Sequence, residues 1–150
     1  MIRHDCELCS QQGGDVVFRS EKWRVLMVND ADHPGFCRVV WNEHVGEMTD
    51  LQPFERTQLM EAVWHVEAAM RAVMLPCKIN LASLGNMVPH LHWHVIARYA
   101  DDAQFPAPIW ATAARKTEPA VIDERTALLP LLGAEIVRRF KLVGQEQESA

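Results

Sequence analysis

Three histidines, His90, His92 and His94, alternate with single apolar residues. Successive side chains of a β-strand point to opposite faces, so this spacing would place the three imidazole rings on one face. A helix would instead scatter the rings around its circumference. Apolar pairs at 87–88 and 95–96 flank the row. The pattern therefore predicts a β-strand that carries a line of histidines and continues to about residue 99.

The row points to chemistry because imidazole, with an unperturbed pKa of about 6.5, changes charge near neutrality. Neighbouring residues on one face of a strand lie roughly 6.6 Å apart, so three rings converge poorly on one metal ion. A row suits an extended anion better, because one ring attacks phosphorus while its neighbours bind oxygens or protonate the leaving group. A metalloenzyme that uses the row directly and a set of structural histidines are the alternatives.

Length and charge limit the classes of function. The 150 residues suffice for one domain with a hydrophobic core, and 49% of them are hydrophobic. A net charge of −5 provides no overall basic field to attract nucleic acid or a membrane surface. No apolar run is long enough to span a bilayer, and the first ten residues lack an apolar signal region, so we expect a cytoplasmic location.

In a reducing compartment, cysteines are expected to be thiols or metal ligands and not disulfides. Cys37 and Cys77 lie in apolar, strand-like contexts, and we expect both to be inert core residues. We assign no chemistry to His4, His33 and His65.

The remaining pattern predicts an α+β fold in which one long helix packs across an antiparallel sheet and a second helix follows near the C-terminus. The strands are expected at 16–18, 23–28, 36–41 and 77–84, besides the histidine strand. Apolar residues recur at helical spacing from Phe54 to Met74, and Met60 and Trp64 widen the stripe. Residues 111–122 are expected to be irregular, and a helix over Asp123–Lys141 to be broken or kinked at Pro130 and Gly133.

The histidine segment resembles the histidine triad (HIT) superfamily, whose signature is H-φ-H-φ-H-φ-φ with φ an apolar residue. Residues 90–96 fill every position of that signature. Three further segments also match the family pattern. They are Pro34-Gly35 followed by an apolar strand and His44, Gly85 before the triad, and Arg98-Tyr99 after it. The resemblance covers about residues 6–100. It implies a single HIT domain over 1–150 that consists of this core and a C-terminal extension.

The resemblance implies a nucleotide hydrolase or transferase that acts on the α-phosphate of an NMP-linked substrate. Typical substrates are dinucleoside polyphosphates and nucleoside phosphoramidates. His92 would be the nucleophile that forms a covalent nucleotidyl-histidine, His94 would hold the phosphate, and His90 would assist. The third histidine favours hydrolysis, because the transferase branch typically has glutamine there. No cofactor is expected to be required for this chemistry.

The resemblance also suggests nucleotide-binding residues. Asn29 lies near the family's ribose-contacting position, Asn80 resembles a phosphate-contacting asparagine, and Asn86 stands in place of a phosphate-contacting glutamine. Met87 replaces a hydroxyl residue and offers no donor to the leaving group, and Pro89 lacks an N–H group. These departures motivate an alternative, a nucleotide-binding HIT module with little turnover.

Cys6 and Cys9 form a C-x-x-C pair, which by itself is a weak signal. In one branch of the superfamily such a pair binds zinc together with histidines at the positions of His44 and His90. The resemblance therefore implies a structural zinc site of these four residues. The alternative is a pair of idle thiols, with His44 capping a helix.

The superfamily also forms homodimers through the long helix and a strand, so a homodimer is expected, with nucleic acid and membranes excluded as partners. Trp110, which follows two prolines, is expected to be a core or dimer-contact residue in preference to a residue near the nucleotide base.

Overall fold

The computed structural model describes residues 3–11 and 13–148, with side chains described up to Gly144. Five strands form one sheet in the order β1-β2-β3-β5-β4, and every neighbouring pair is antiparallel. The strands are β1 (Asp15–Arg19), β2 (Trp23–Met27), β3 (Cys37–Trp41), β4 (Lys78–Ala82) and β5 (His92–Arg98). The predicted α+β class with an antiparallel sheet is confirmed.

Four α-helices and one short 3-10 helix (Met48–Asp50) accompany the sheet in the described part of the chain. The α-helices are α1 (Glu7–Ser10), α2 (Pro53–Met74), α3 (Pro119–Ala127) and α4 (Leu129–Glu148). The long helix α2 has the predicted bounds because its ends are specified locally. Gln52 and Glu55 form a capping box around Pro53 at the start. At the other end Leu75 adopts a left-handed conformation just before Pro76. None of the described helices combines the length and apolar character needed to cross a membrane.

The C-terminal helix differs from its prediction. A break was predicted near Pro130, and it is present at Leu128, where it divides the segment into two helices. The first helix begins at Pro119, so the expectation of irregular structure is wrong for residues 119–122. Pro130 lies in the first turn of α4, where its missing N–H removes no intrahelical bond. Gly133 lies inside α4, since a glycine there costs only about 1 kcal/mol and its neighbours Leu132 and Ile136 are fully buried.

One face of the sheet carries the main core. Helices α2 and α4 pack there through buried apolar residues of both helices and of β2, β3 and β5: Val25, Val39, Val95, Leu59, Val63, Val66, Leu132 and Ile136. Trp64 is 53% exposed and not part of this core, because it lies one residue, about 100°, around the helix from Val63. Cys37 is buried as predicted, whereas Cys77 is exposed just before β4 and is not a core residue.

The opposite face is partly covered by the N-terminal segment. Cys6 and Leu8, at the short helix α1, pack on Leu26 and Val40 of the sheet. The remaining part of this face carries His92 and His94, whose cross-strand partners in β3 are Val40 and Arg38.

The histidine strand begins later than predicted. His90 lies before β5, and its N–H group donates to the carbonyl of Val88, 2.8 Å away. Pro89 offers no N–H group and the His90 N–H is used in this local turn, so ladder pairing starts only at His92. The prediction of three rings on one strand face is therefore correct for His92 and His94 and wrong for His90.

Candidate functional site

A pocket of about 370 Å³ opens on the face that carries the two strand histidines. Its walls come from α1, β3, β5, the loop before the triad and the loop after β5. The described lining residues include Glu7, Leu8, Arg38, Asn86, Met87, His92, His94 and Trp110. The fold thus brings two of the three predicted catalytic histidines together in one concave site.

His92 is held in a defined tautomer. Its Nδ1 lies 2.6 Å from the carbonyl oxygen of His90, and since a carbonyl only accepts, Nδ1 carries the proton and donates. Burial lowers the pKa of His92, the bond to the His90 carbonyl opposes this, and the nearby Arg38 charge lowers it further. A lowered pKa favours the neutral ring at neutral pH, with its lone pair on Nε2, which is the form required for nucleophilic attack.

His94 lies beside it, with 4.8 Å between the two ring centroids. Burial, followed by the neighbouring His92 and Arg38, lowers the pKa of His94 to about 4. Its ring is flanked by the aromatic rings of Phe36 and Trp110, at centroid distances of 5.4 and 5.1 Å. At neutral pH His94 can therefore offer a hydrogen bond to a ligand but no charge.

The ring of His90 belongs to a different site. Its Nε2 donates to the carbonyl of Trp41 at 2.6 Å, which leaves the lone pair on Nδ1. That nitrogen lies 3.5 Å from Sγ of Cys6 and 3.4 Å from Sγ of Cys9. The hydrogen bond between His90 and His92 is made by the backbone carbonyl of His90 and not by its ring, so the three rings do not share one ligand site.

The four residues expected to bind zinc are brought together. Ligand atoms of Cys6, Cys9, His44 and His90 all lie within 4.8 Å of one another, although up to 84 positions separate them in sequence. Cys9 Sγ is also 3.5 Å from Nδ1 of His44. Tetrahedral zinc, with bonds of about 2.3 Å to sulfur and 2.0–2.1 Å to nitrogen, separates sulfur from nitrogen ligands by roughly 3.5 Å. The donor set and its spacing fit such an ion.

Of the three asparagines assigned to nucleotide binding, Asn86 lines the pocket. Asn80 lies in β4, where its Oδ1 accepts a hydrogen bond of 2.6 Å from Nη1 of Arg98. Asn29 is exposed beyond the end of β2 and is not among the described lining residues.

Trp110 is neither a core residue nor remote from the site. It is 52% exposed and lines the pocket. The loop that carries it is fixed by the buried Arg98, whose guanidinium donates to both carboxylate oxygens of Asp102, at 2.7 and 3.0 Å, and to the carbonyl of Ala107 at 2.7 Å. The ion pair therefore anchors one wall of the pocket to β5.

Asp102 makes the stability of this loop depend on pH. Burial alone would raise the pKa of Asp102, but hydrogen bonds from Arg98 and from backbone N–H groups, including that of Tyr99, lower it from 3.8 to about 2. A group whose pKa is lower in the folded state stabilises the protein above its unfolded pKa, and that contribution is lost as the pH falls. We expect the free energy of unfolding to lose about 2 kcal/mol, the contribution of Asp102, as the pH falls from about 5 to about 2.

The measurement is urea unfolding of wild type, Asp102→Asn and Asp123→Asn across that pH range. Asp123→Asn removes an exposed carboxylate of α3 and serves as the control. Asp102→Asn should be less stable at pH 7 and show a shallower loss toward low pH. An Asp102→Asn variant with the wild-type slope would contradict the assignment.

Sequence reasoning missed the two charged residues of the pocket lining, Arg38 and Glu7. A signal for Arg38 was present, because it is the one charged residue in the apolar strand C-R-V-V-W. Its position opposite His94 depends on the β3–β5 register, which the sequence does not specify locally.

Comparison with known proteins agrees with the family resemblance seen in the sequence. A family model of the HIT domain matches residues 10–101. The histidine triad protein blr8122 from Bradyrhizobium japonicum is 29% identical, with a TM-score of 0.69, and the match covers 83% of this chain and 92% of that chain. A histidine triad protein from Sinorhizobium meliloti is 26% identical over 85% of this chain and 90% of that chain, with a TM-score of 0.66.

A Zn-bound histidine triad family protein from Mycobacterium smegmatis has a similar fold, with a TM-score of 0.56, 20% identity and coverage of 86% of this chain and 88% of that chain. No curated protein matches this chain.

Proposed function

Because this chain belongs to the HIT family, we propose that it is a nucleotide hydrolase that cleaves the α-phosphate linkage of an NMP-linked substrate. The substrate class is a dinucleoside polyphosphate or a nucleoside phosphoramidate. One observation carries the proposal: His92 lies in the pocket with Nδ1 bonded to the His90 carbonyl and the Nε2 lone pair free.

In the proposed reaction, Nε2 of His92 attacks the α-phosphorus. The Nε2–P bond forms as the bond from phosphorus to the leaving group breaks, and the leaving group departs with the bonding electron pair. The imidazole gains positive charge in this step, and the carbonyl acceptor at Nδ1–H stabilises it. Water then attacks the nucleotidyl-histidine, loses its proton to solvent, and releases the nucleoside monophosphate and neutral His92.

Other pocket residues are assigned supporting roles. His94, whose ring lies beside that of His92, holds the phosphate, and Asn86 contacts it from the loop before the triad. The placement of Asn29 and Asn80 outside the described pocket lining gives no support to their assignment as ligand contacts.

A second candidate is a nucleotide-binding module with little turnover. Met87 is 93% exposed at the pocket, where a thioether offers no hydroxyl to the leaving group. This candidate predicts nucleotide binding without a covalent adduct.

The test is incubation of wild type with a panel of adenosine and guanosine polyphosphates and phosphoramidates. We expect release of a nucleoside monophosphate and, after rapid quenching under conditions that preserve phosphohistidine, a mass increase of one nucleotidyl group on the peptide that contains His92. Binding of AMP or GMP with neither product nor adduct would favour the binding module and contradict the hydrolase.

We further propose that Cys6, Cys9, His44 and His90 hold a zinc ion, whose contribution is structural because it would tie the N-terminal segment to the sheet. A homodimer through α2 and β4 completes the proposal. It is supported by the edge position of β4 and by the exposure of Phe54 and Trp64 on α2.

A further inference from the structure

Arg38 stands beside the triad histidines on the inner side of the pocket. It lies in the middle of β3, directly opposite His94 in the antiparallel pair with β5. Side chains at paired positions share a face of the sheet, so Arg38 lies on the pocket face together with His92 and His94. It is half-buried, and its side chain contributes to the wall of the pocket.

The guanidinium of Arg38 makes no hydrogen bond or ion pair with any other described residue, and its Nε is buried without a partner. Two other arginines of the sheet differ in this respect. Arg24 donates to Asn42 and to the carbonyl of Leu8, and Arg98 is held by Asp102, Asn80 and Ala107. A buried donor without a partner is unfavourable, and an arriving acceptor can recover that cost.

Charge in the pocket depends on this residue. Among the described lining residues, Arg38 is the one permanent cation and Glu7 the one acid. His94 adds no charge at neutral pH, since burial holds its pKa at about 4. The whole chain carries a net charge of −5, so the protein as a whole does not attract anions. Among the described lining residues, only Arg38 offers an anionic ligand a full positive charge.

We propose that Arg38 binds phosphate oxygens of the nucleotide and so determines that the pocket takes a nucleoside phosphate in preference to a nucleoside. A planar guanidinium offers paired N–H donors whose spacing matches two phosphate oxygens. Because Arg38 lies beside His94, its N–H groups also supply hydrogen-bond donors next to the pocket histidines, where Met87 offers none. The proposal rests on the nucleotide pocket of the proposed function, and it concerns binding and not turnover.

The experiment compares wild type, Arg38→Met, Arg38→Lys and the control Arg19→Met by titration calorimetry. Arg19 is an exposed arginine of β1 outside this pocket. The probes are AMP and GMP, each paired with its nucleoside, adenosine or guanosine. A charge-assisted pair is worth about 1.5–3 kcal/mol, so Arg38→Met should weaken nucleotide binding roughly 10- to 100-fold. Nucleoside affinity should change by less than about twofold, and Arg19→Met should bind like wild type.

Arg38→Lys keeps the charge without the fork and should fall between wild type and Arg38→Met, which also provides a folded variant if the methionine is not tolerated. An equal loss of affinity for nucleotide and nucleoside would overturn the proposal, because Arg38 would then contact the base or the ribose and not the phosphate. Unchanged nucleotide affinity in Arg38→Met, or no binding of either nucleotide by wild type, would overturn it as well. Wild-type binding without any hydrolysis would instead refute the proposed activity and leave the role of Arg38 intact.

Discussion

Replacing His92 with alanine is expected to lower the rate of nucleoside monophosphate release at least about a thousandfold. The substitution removes the only group that we assign to bond with phosphorus. The ring of His90 is also held by a backbone carbonyl, that of Trp41, but it is not among the described residues that line the pocket. His94 lies close by, but its Nδ1 is buried without a hydrogen-bond partner among the described residues, so its tautomer is not fixed. It cannot simply take over the attack.

The measurement is single-turnover kinetics on whichever substrate wild type cleaves, together with the affinity for AMP and GMP. His92→Ala should retain nucleotide binding within about tenfold, because Arg38 and His94 remain in the pocket. His4→Ala, at an exposed position near the N-terminus, is the matched control and should keep the wild-type rate. Wild-type turnover by His92→Ala on every substrate would show that another group performs the attack.

The elements that sequence predicted well are those specified by local patterns. Helix α2 has its apolar stripe, its capping box and its terminal proline within its own residues or next to them. The alternation around the triad likewise specified which face His92 and His94 would share. The start of β5 was predicted less well because it depends on pairing partners elsewhere. The Leu91 N–H group donates a hydrogen bond to the carbonyl of Val45, and the Leu91 carbonyl accepts one from the N–H group of Trp41. The His90 N–H group donates to the carbonyl of Val88 and not to a neighbouring strand.

The pocket walls could not be read from sequence for the same reason. Arg38 reaches the triad through the register of β3 on β5, and Trp110 reaches it through a loop that is held by the Arg98–Asp102 ion pair and by hydrogen bonds from Arg115. Neither contact has a local signature. The four-residue cluster at Cys6 was anticipated through family resemblance alone, since nothing in the spacing of a lone C-x-x-C specifies two distant histidines.

That cluster leads to the second large effect. We expect protein purified without an affinity tag to contain about one zinc ion per chain, and the double variant Cys6→Ser/Cys9→Ser to contain none. Its free energy of unfolding should fall by about 3–5 kcal/mol, because metal binding is coupled to folding. Without the metal, the N-terminal segment would contact the sheet through a small apolar cluster around Leu8, Leu26 and Val40 and through the hydrogen bond from Arg24 to the carbonyl of Leu8. Metal analysis by atomic emission and urea unfolding provide the two readouts.

The double variant Cys6→Ser/Cys9→Ser should also lose hydrolase activity, because the zinc cluster holds a residue that orients His92. Nδ1 of His90 lies within 3.5 Å of both cysteine sulfurs, and the backbone carbonyl of His90 accepts the hydrogen bond from Nδ1–H that fixes the tautomer of His92. Loosening His90 would therefore relax the orientation of the nucleophile, so kcat should fall more than nucleotide affinity. Cys77→Ser, at an exposed thiol outside the cluster, should leave zinc content, stability and kcat unchanged. Less than about a tenth of an equivalent of zinc in wild type, or full stability of the double variant, would contradict a metal site there.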